Sequence, residues 1–231
     1  MSCIIILGMH RSGTSCLTGI MQRAGVELGE VFTANPHNKK GNRESAQIMA
    51  LNDQVLAFNG GSWDEPVMVT KWNNQQRGER DAIISNLTSA AADYWGFKDP
   101  RTLLTLPFWH ETIRPQFIGT VRNPVRVARS LSKRGNIPLE KGLSLWLYYN
   151  QQLLKLAQEH QFSIVNFDLP VEEYLSDVIT KLTKLGLDAE KSKSATEFFD
   201  HSLRTQLMDT IDDQPLPEDV ANLYQELISL V

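Results

Sequence analysis

The 231-residue sequence predicts a three-layer α/β fold: a central parallel sheet of about four to five short strands, flanked by helices, with a helical C-terminal region. Two observations predict it. Short, all-apolar runs rich in β-branched or aromatic residues alternate with longer segments of helical periodicity. Strands of that composition, separated by helices, belong to a parallel sheet covered on both faces. A third observation orients the fold: the first apolar run ends in a glycine-bounded loop that opens directly into a helix.

Taken in order, the strands are Cys3–Leu7, Tyr94–Phe97, Phe117–Val121 and Ser163–Phe167. After the first strand, the loop from Gly8 to Gly13 has the glycine spacing of a nucleotide-binding P-loop, which makes the fold P-loop-like. The helix that follows runs from Thr14 to Ala24, with Leu17, Ile20, Met21 and Ala24 on one face and Gly25 suited to the C-terminal cap. Residues Val26 to Arg43 contain Pro36, Gly41 and several Asn and read as a long loop. Glu44 to Phe58 is helical, with Ile48, Leu51, Val55 and Phe58 apolar, and a further helix lies between Arg80 and Ala92. Pro124 to Arg134 begins with proline at a helix start, where its missing N–H costs nothing. Leu139 to His160 is one long helix, and the remainder from Val171 is mostly helical and acidic. The sequence shows no repeat, low-complexity tract or linker, so residues 1–231 read as one domain.

The formal net charge of −4 offers no reason to expect nucleic acid or an anionic membrane as partner. Charge is nevertheless uneven. From Lys98 to Arg134 there are eight basic residues, Lys98, Arg101, Arg114, Arg122, Arg126, Arg129, Lys133 and Arg134, against two acids, Asp99 and Glu111. That excess is either a solvated helix face or an anion site, and proximity to the Gly8–Ser15 loop decides which. The two cysteines, Cys3 and Cys16, have neither the number nor the spacing of a disulfide framework or a zinc site, so buried thiols in the cytoplasm are expected, with no metal. The longest apolar runs fall far short of a membrane span.

Backbone N–H groups at a helix N-terminus, together with the helix dipole, favour an anion. Glycines at 8 and 13 let the backbone approach it, and Ser12, Thr14 and Ser15 add hydroxyl donors. A triphosphate-binding loop has Lys after its second glycine; here the residue is Thr14, and the nearest cation is Arg11 inside the loop. The loop therefore suits a small tetrahedral anion; the alternative is an ordinary glycine turn. A second anion site is suggested by Phe117-Ile-Gly-Thr-Val-Arg-Asn-Pro-Val-Arg-Val-Ala-Arg-Ser130, where a strand ends at Arg122 and a helix opens at Pro124. An Arg at the carboxyl end of a strand faces the edge at which open α/β sheets bind ligands, and Ser130 follows two helical turns on.

Gly-Met-His-Arg-Ser-Gly-Thr-Ser (8–15) resembles the 5′-phosphosulfate loop of the sulfotransferases that use 3′-phosphoadenosine 5′-phosphosulfate (PAPS), and Arg122-Asn-Pro with Ser130 resembles their 3′-phosphate motif. Gly41-Asn-Arg-Glu44 and Trp95-Gly-Phe-Lys-Asp-Pro-Arg101 resemble segments of the bacterial and carbohydrate-type branch. The resemblance implies that Arg11, Ser12, Gly13, Thr14 and Ser15 hold the 5′-phosphosulfate of PAPS, and that Arg122 and Ser130 hold its 3′-phosphate. Two departures stand out: Phe167 takes the place of a Tyr found in many members, and the basic glycine-rich segment that closes over the nucleotide in the cytosolic small-molecule branch is absent.

The activity implied is sulfonate transfer to a hydroxyl or amine of a carbohydrate, lipid or small-metabolite acceptor. Positioning and electrostatics carry such a reaction. Arg11 and the loop amides suit charge on the bridging oxygen, Lys98 the moving sulfonate, and Glu44 the role of general base, with Asp99 and His10 as alternatives. Glu44 also fits a helix start favoured by the dipole, and Lys98 a salt bridge to Asp99 or a neighbour. His37 and His110 read as ordinary loop or surface histidines, and the tryptophans at 63, 72, 95, 109 and 146 as either core or cleft lining. The rival functions are a P-loop kinase or hydrolase, for which Asp168 is the one tempting metal-binding acid, and a non-catalytic nucleotide-binding module. Acceptor identity and oligomeric state are not encoded in any motif.

Overall fold

The computed structural model describes residues 1–34, 40–90, 92–200 and 215–231. His37 and part of the 26–43 segment lie outside the described residues, as does the stretch 201–214 of the C-terminal region. Five parallel strands form one sheet: β1 (Ser2–Leu7), β2 (Val26–Glu27), β3 (Tyr94–Lys98), β4 (Gln116–Val121) and β5 (Ser163–Asn166), in the order β2-β3-β1-β4-β5. β1 is central, with Ile6 opposite Lys98 of β3 and Leu7 opposite Gly119 of β4. Because β1 has β3 on one side and β4 on the other, the chain reverses its direction of travel across the sheet at β1. In open α/β sheets that reversal leaves a crevice outside the carboxyl ends of the strands.

The side chains of β1 sort by parity. Cys3, Ile5 and Leu7 enter one core; Ile4 and Ile6 enter the other. The first core is covered by α2 (Ala46–Phe58), α3 (Asn74–Thr88), α4 (Thr102–His110), α5 (Pro124–Gly135), α6 (Leu139–His160) and α9 (Glu218–Ser229). The second lies under α1 (Thr14–Arg23), α7 (Val171–Lys184), α8 (Ala189–Ala195) and the 3₁₀ turn Thr196–Phe198. Ile4, Ile5, Ile6 and Leu7 are fully buried, which explains why the strand reads as a continuous apolar run.

Several boundaries differ from the sequence expectation. Val26–Glu27, the start of the expected loop, pairs with Tyr94 and Trp95 as an edge strand too short to leave a periodic signal. The helix expected from Arg80 begins instead at Asn74, where Asn73 and Gln76 form a reciprocal capping box, and ends at Thr88. α2 starts at Ala46, so Glu44 stands outside the helix and its placement is not a dipole effect. α4 contains Pro107, which hides its helical pattern in the sequence. The tryptophans divide: Trp95, Trp109 and Trp146 are buried core, and Trp63 and Trp72 are half-buried.

Candidate functional site

The carboxyl ends of four neighbouring strands bring the motif residues to one edge. β1 leads into the Gly8–Gly13 loop, β3 ends on Lys98, β4 is followed by Arg122, and β5 by Phe167 and Asp168. Gly13 caps α1 in the left-handed region at φ 86°, and no side chain caps this helix. A Cβ on Gly13 would lie 2.3 Å from the ring of Phe167, so ring and loop backbone are in close apposition. Cys16 donates back to Gly13 O at 3.0 Å, whereas the N–H groups of Gly13, Thr14 and Ser15 have no acceptor among the described residues. Those three donors and the dipole behind them form an anion-binding terminus. Ser12 Oγ is buried without a hydrogen bond among the described residues, while its carbonyl accepts from Thr120 Oγ1 at 2.8 Å.

Arg11 joins the two motifs. Its Nε donates to Ser130 Oγ at 2.8 Å, across 119 residues of sequence. Its backbone sits at φ 69°, unusual for a side-chain-bearing residue, and its carbonyl accepts from Arg122 Nη1 at 3.3 Å. Burial first, then the charges of Arg134 and Arg122, push the Arg11 guanidinium down to about 10, still protonated at neutral pH. Arg122 lies 5.3 Å over the Phe167 ring and 3.5 Å from Asp168 Oδ1. Asp168 also takes the Arg126 guanidinium at 2.9 Å and the Asn123 N–H at 2.6 Å. Arg11, Gly13, Thr14, Ser15 and Arg122 line one open cleft, joined from the C-terminal region by Phe198 and Phe199. Sequence reasoning missed those two aromatic residues because they lie beyond any motif. Their signal in the sequence is the adjacent aromatic pair Phe198-Phe199 within an otherwise polar stretch.

Lys98 and Glu44 meet behind the loop. Lys98 Nζ is 2.6 Å from Glu44 Oε1 and 3.4 Å from Ser15 Oγ, with the lysine side chain fully buried and that of Glu44 9% exposed. Burial lowers the Lys98 pKa, and Glu44 offsets part of that effect. Lys98 therefore pairs with Glu44 and not with its neighbour Asp99. Asp99 is held by Asn52 Nδ2 at 3.0 Å and by the Arg101 backbone and guanidinium at 3.1 and 3.0 Å. His10 packs 4.8 Å from Trp63 and 6.1 Å from Tyr149, ring to ring, with Nε2 buried and unbonded among the described residues. Burial and the nearby Arg101, Lys98 and Arg11 charges hold it far below the usual histidine range, hence neutral. Of the basic run, Lys98, Arg122 and Arg134 stand near the loop, whereas Arg114 bonds to carbonyls at the opposite edge of the sheet.

Two solved structures match this architecture over nearly its whole length. The sulfotransferase domain from the Synechococcus PCC 7002 olefin synthase superposes with a TM-score of 0.57 at 14% identity, covering 99% of this chain and 94% of that one. The sulfotransferase domain from the curacin biosynthetic pathway superposes with a TM-score of 0.59 at 15% identity, covering 98% and 97%. The chain has the fold of sulfotransferase domains. No family model matches the sequence, and no curated protein matches it. The sulfotransferase fold accounts for the five-stranded parallel sheet and for the position of the loop after β1. Among the described residues no group of three or more His, Cys, Asp or Glu could hold a metal, and no helix is long and apolar enough to cross a membrane.

Proposed function

We propose that this protein is a sulfotransferase that moves a sulfonate group from PAPS to a hydroxyl or amine of a small-molecule acceptor. The observation that carries the reading is the 2.8 Å bond from Arg11 Nε to Ser130 Oγ, which unites the loop after β1 with the face of α5 at one cleft. The residues present fit the donor. Three N–H groups and the Ser12 hydroxyl, all without a partner among the described residues, suit the 5′ group, and Arg122 with Ser130 suits a second phosphate one motif away. That the fold neighbours are a domain of an olefin synthase and a domain of a biosynthetic pathway supports a small-molecule acceptor, a lipid, carbohydrate or metabolite.

In this reading Arg11, Ser12, Gly13, Thr14 and Ser15 hold the 5′-phosphosulfate, and Arg122 and Ser130 the 3′-phosphate. When bound, PAPS supplies an activated sulfonate on a phosphate leaving group. Lys98, next to Ser15, donates hydrogen bonds toward that side of the loop, and its contact with Glu44 favours its charged form against the effect of burial. Glu44 Oε1 is taken by Lys98, and Oε2, with no hydrogen bond among the described residues, receives the acceptor proton. Asp99 is a poorer base because both its oxygens are already bonded. His10 is closed off by Trp63 and Tyr149. The kinase reading loses support from Asp168, whose carboxylate is committed to Arg122, Arg126 and the Asn123 N–H.

The test compares adenosine 3′,5′-bisphosphate with ATP, ADP and GTP by thermal shift, then follows transfer of labelled sulfonate to a panel of hydroxyl and amine acceptors. At 100 times Kd the bisphosphate should stabilise the protein by about 2.7 kcal/mol, or roughly 5–11 °C for a chain of this size. Tight binding of ATP with magnesium, and none of the bisphosphate, replaces this reading with a kinase or hydrolase. Donor binding without transfer to any acceptor replaces it with a non-catalytic module.

A further inference from the structure

Glu44 stands two residues before α2, so no helical turn sets the direction of its side chain. That direction comes from the turn before it. Gly41 and Arg43 both lie in the left-handed region, at φ 74° and 57°. Gly41 has to be glycine, because a Cβ there would lie 2.1 Å from Phe32 O. Arg43 carries a side chain into the same region at a cost. Two backbone bonds close the turn: Arg43 N–H donates to Phe32 O and Phe32 N–H donates to Glu44 O, each at 3.0 Å. Any residue with an N–H makes those bonds, so they do not explain arginine at 43.

The side chain explains it. Arg43 Nη1 donates to Gln22 Oε1 at 2.9 Å, and its guanidinium lies 5.1 Å over the ring of Phe198. Phe198 is buried and forms the seat of this contact. Its ring fills the space over Gly19, where a Cβ would lie 2.1 Å from it, and its carbonyl accepts from Lys40. Gly19 and Gln22 belong to α1, the helix that opens at the phosphate loop. Arg43 thus spans from that helix to the residue beside the base. It is not among the residues that line the donor cleft, so its contacts are not with the donor. Arg23 lies over the same ring at 5.5 Å, and after burial its charge is what lowers the Arg43 pKa. A side chain with no role at this turn would swing into solvent, away from that like charge.

We propose that Arg43 is a positioning residue, which uses Phe198 and Gln22 as anchors to hold the Glu44 carboxylate against Lys98. It ties the direction of the base to the helix that carries the anion-binding terminus. The inference rests on the reading of Glu44 as the base of a sulfonate transfer. Arginine suits the task because its planar guanidinium stacks on an aromatic face while its edge donates a hydrogen bond. Among the charges that bear on Lys98, those of Glu44, Asp99 and Arg11, only Glu44 is carried by this turn, and His10 beside them is neutral.

Urea unfolding at pH 7 and pH 9.5 tests it, on wild type, Arg43→Gly, Arg43→Lys, Phe198→Leu, Glu44→Gln and the double variant Arg43→Gly with Glu44→Gln. Glycine keeps the left-handed backbone and removes only the side chain. Once Glu44 is no longer held on Lys98, the folded pKa of Lys98, already lowered by burial, falls further. The added penalty is then largest near neutral pH and shrinks as pH rises toward the ordinary 10.5. Arg43→Gly should lower the folding equilibrium constant about tenfold at pH 7 and only about threefold at pH 9.5. In the Glu44→Gln background the effect of Arg43→Gly should be equal at the two pH values, because no carboxylate is left to position. Phe198→Leu should show the same pH signature, and Arg43→Lys, which keeps a cation for the ring, should recover part of the loss. An equal loss at both pH values, or none at either, overturns the proposal; an equal loss means that Arg43 serves the fold alone. A pH signature that persists in the Glu44→Gln background overturns it as well. Should Arg43→Gly fail to fold, Phe198→Leu and Arg43→Lys decide by the same signature. A wild-type protein that does not bind adenosine 3′,5′-bisphosphate in calorimetry overturns the donor reading itself, while the pH signature still decides whether Arg43 holds Glu44.

Discussion

Replacing Glu44 by Gln removes one partner of a pair in which Lys98 is fully buried and Glu44 nearly so, at 2.6 Å. At an effective dielectric of about 20 the attraction over that distance is about 6 kcal/mol. Most of it repays the desolvation of the two ions, so the net worth of the pair is small, but the cost of leaving one ion alone is about 3–5 kcal/mol. Glu44→Gln and Lys98→Met should each cost about 3 kcal/mol, which for a chain of this size lowers Tm by roughly 6–12 °C. The double variant should cost less than either single, because it buries no unpaired charge. The pH dependence has a definite sign. Burial lowers the folded pKa of Lys98 below the ordinary 10.5, so the unfolded chain binds more protons between those two values and stability rises with pH across that window. Glu44 is the largest influence holding the Lys98 pKa up, so Glu44→Gln lowers it further and widens the window downward. The penalty of Glu44→Gln should therefore be greatest near neutral pH and shrink as pH rises toward 10.5. Urea unfolding of the four proteins at pH 7 and pH 9.5 measures both effects. Additivity of the two single variants within about 0.5 kcal/mol would mean the residues do not interact, and the ion pair would be refuted.

Arg122→Ala should weaken adenosine 3′,5′-bisphosphate by about 2–3 kcal/mol, the worth of charge-assisted bonds to a phosphate, and adenosine 5′-phosphate far less; equal losses by calorimetry would sink the 3′-phosphate assignment. Gly13→Ala meets both an unfavourable φ of 86° and the Phe167 ring at 2.3 Å, and should cost about 1–3 kcal/mol by thermal melting and abolish nucleotide binding; an unchanged Tm would show that the loop relaxes freely. Asn52→Ala should cost about 2–4 kcal/mol, because buried Asn52 donates to Asp99 and accepts from Thr105 and Trp109, and each lost partner leaves a buried polar atom unsatisfied. Urea unfolding of Asn52→Ala within 0.5 kcal/mol of wild type, on the order of the error for a surface change, would contradict that network.

Much of the architecture follows from local pattern. The four strands at Ser2–Leu7, Tyr94–Lys98, Gln116–Val121 and Ser163–Asn166 are apolar runs of the length and composition that only a doubly covered parallel strand needs, and each falls within a residue or two of its expected place. Leu139–His160 was legible to the residue because its periodicity is long and uninterrupted. The elements hidden from the sequence are hidden for physical reasons. Val26–Glu27 is a strand only because Tyr94 and Trp95 lie beside it, and α4 carries Pro107 within an almost wholly apolar stretch that has no polar face to reveal a period.

The chemistry divides along the same line. Gly8, Gly13, Arg11, Arg122 and Ser130 were candidates because spacing within each motif is a local property, and the sheet then delivers both motifs to one edge. What no spacing contains is which candidate partners which. Lys98 reaches Glu44, 54 residues away, in preference to adjacent Asp99; Arg11 reaches Ser130; Phe167 lies on Gly13; and Phe198 and Phe199 enter the cleft from the far end of the chain. The sequence by itself determined a parallel α/β sheet with two anion-suited turns, because strand composition and turn chemistry are written in neighbouring residues. Only the tertiary structure decided the pairings, because a buried charge takes the partner that packing brings within hydrogen-bond reach, and that partner is set by how helices cover the sheet and not by distance along the chain.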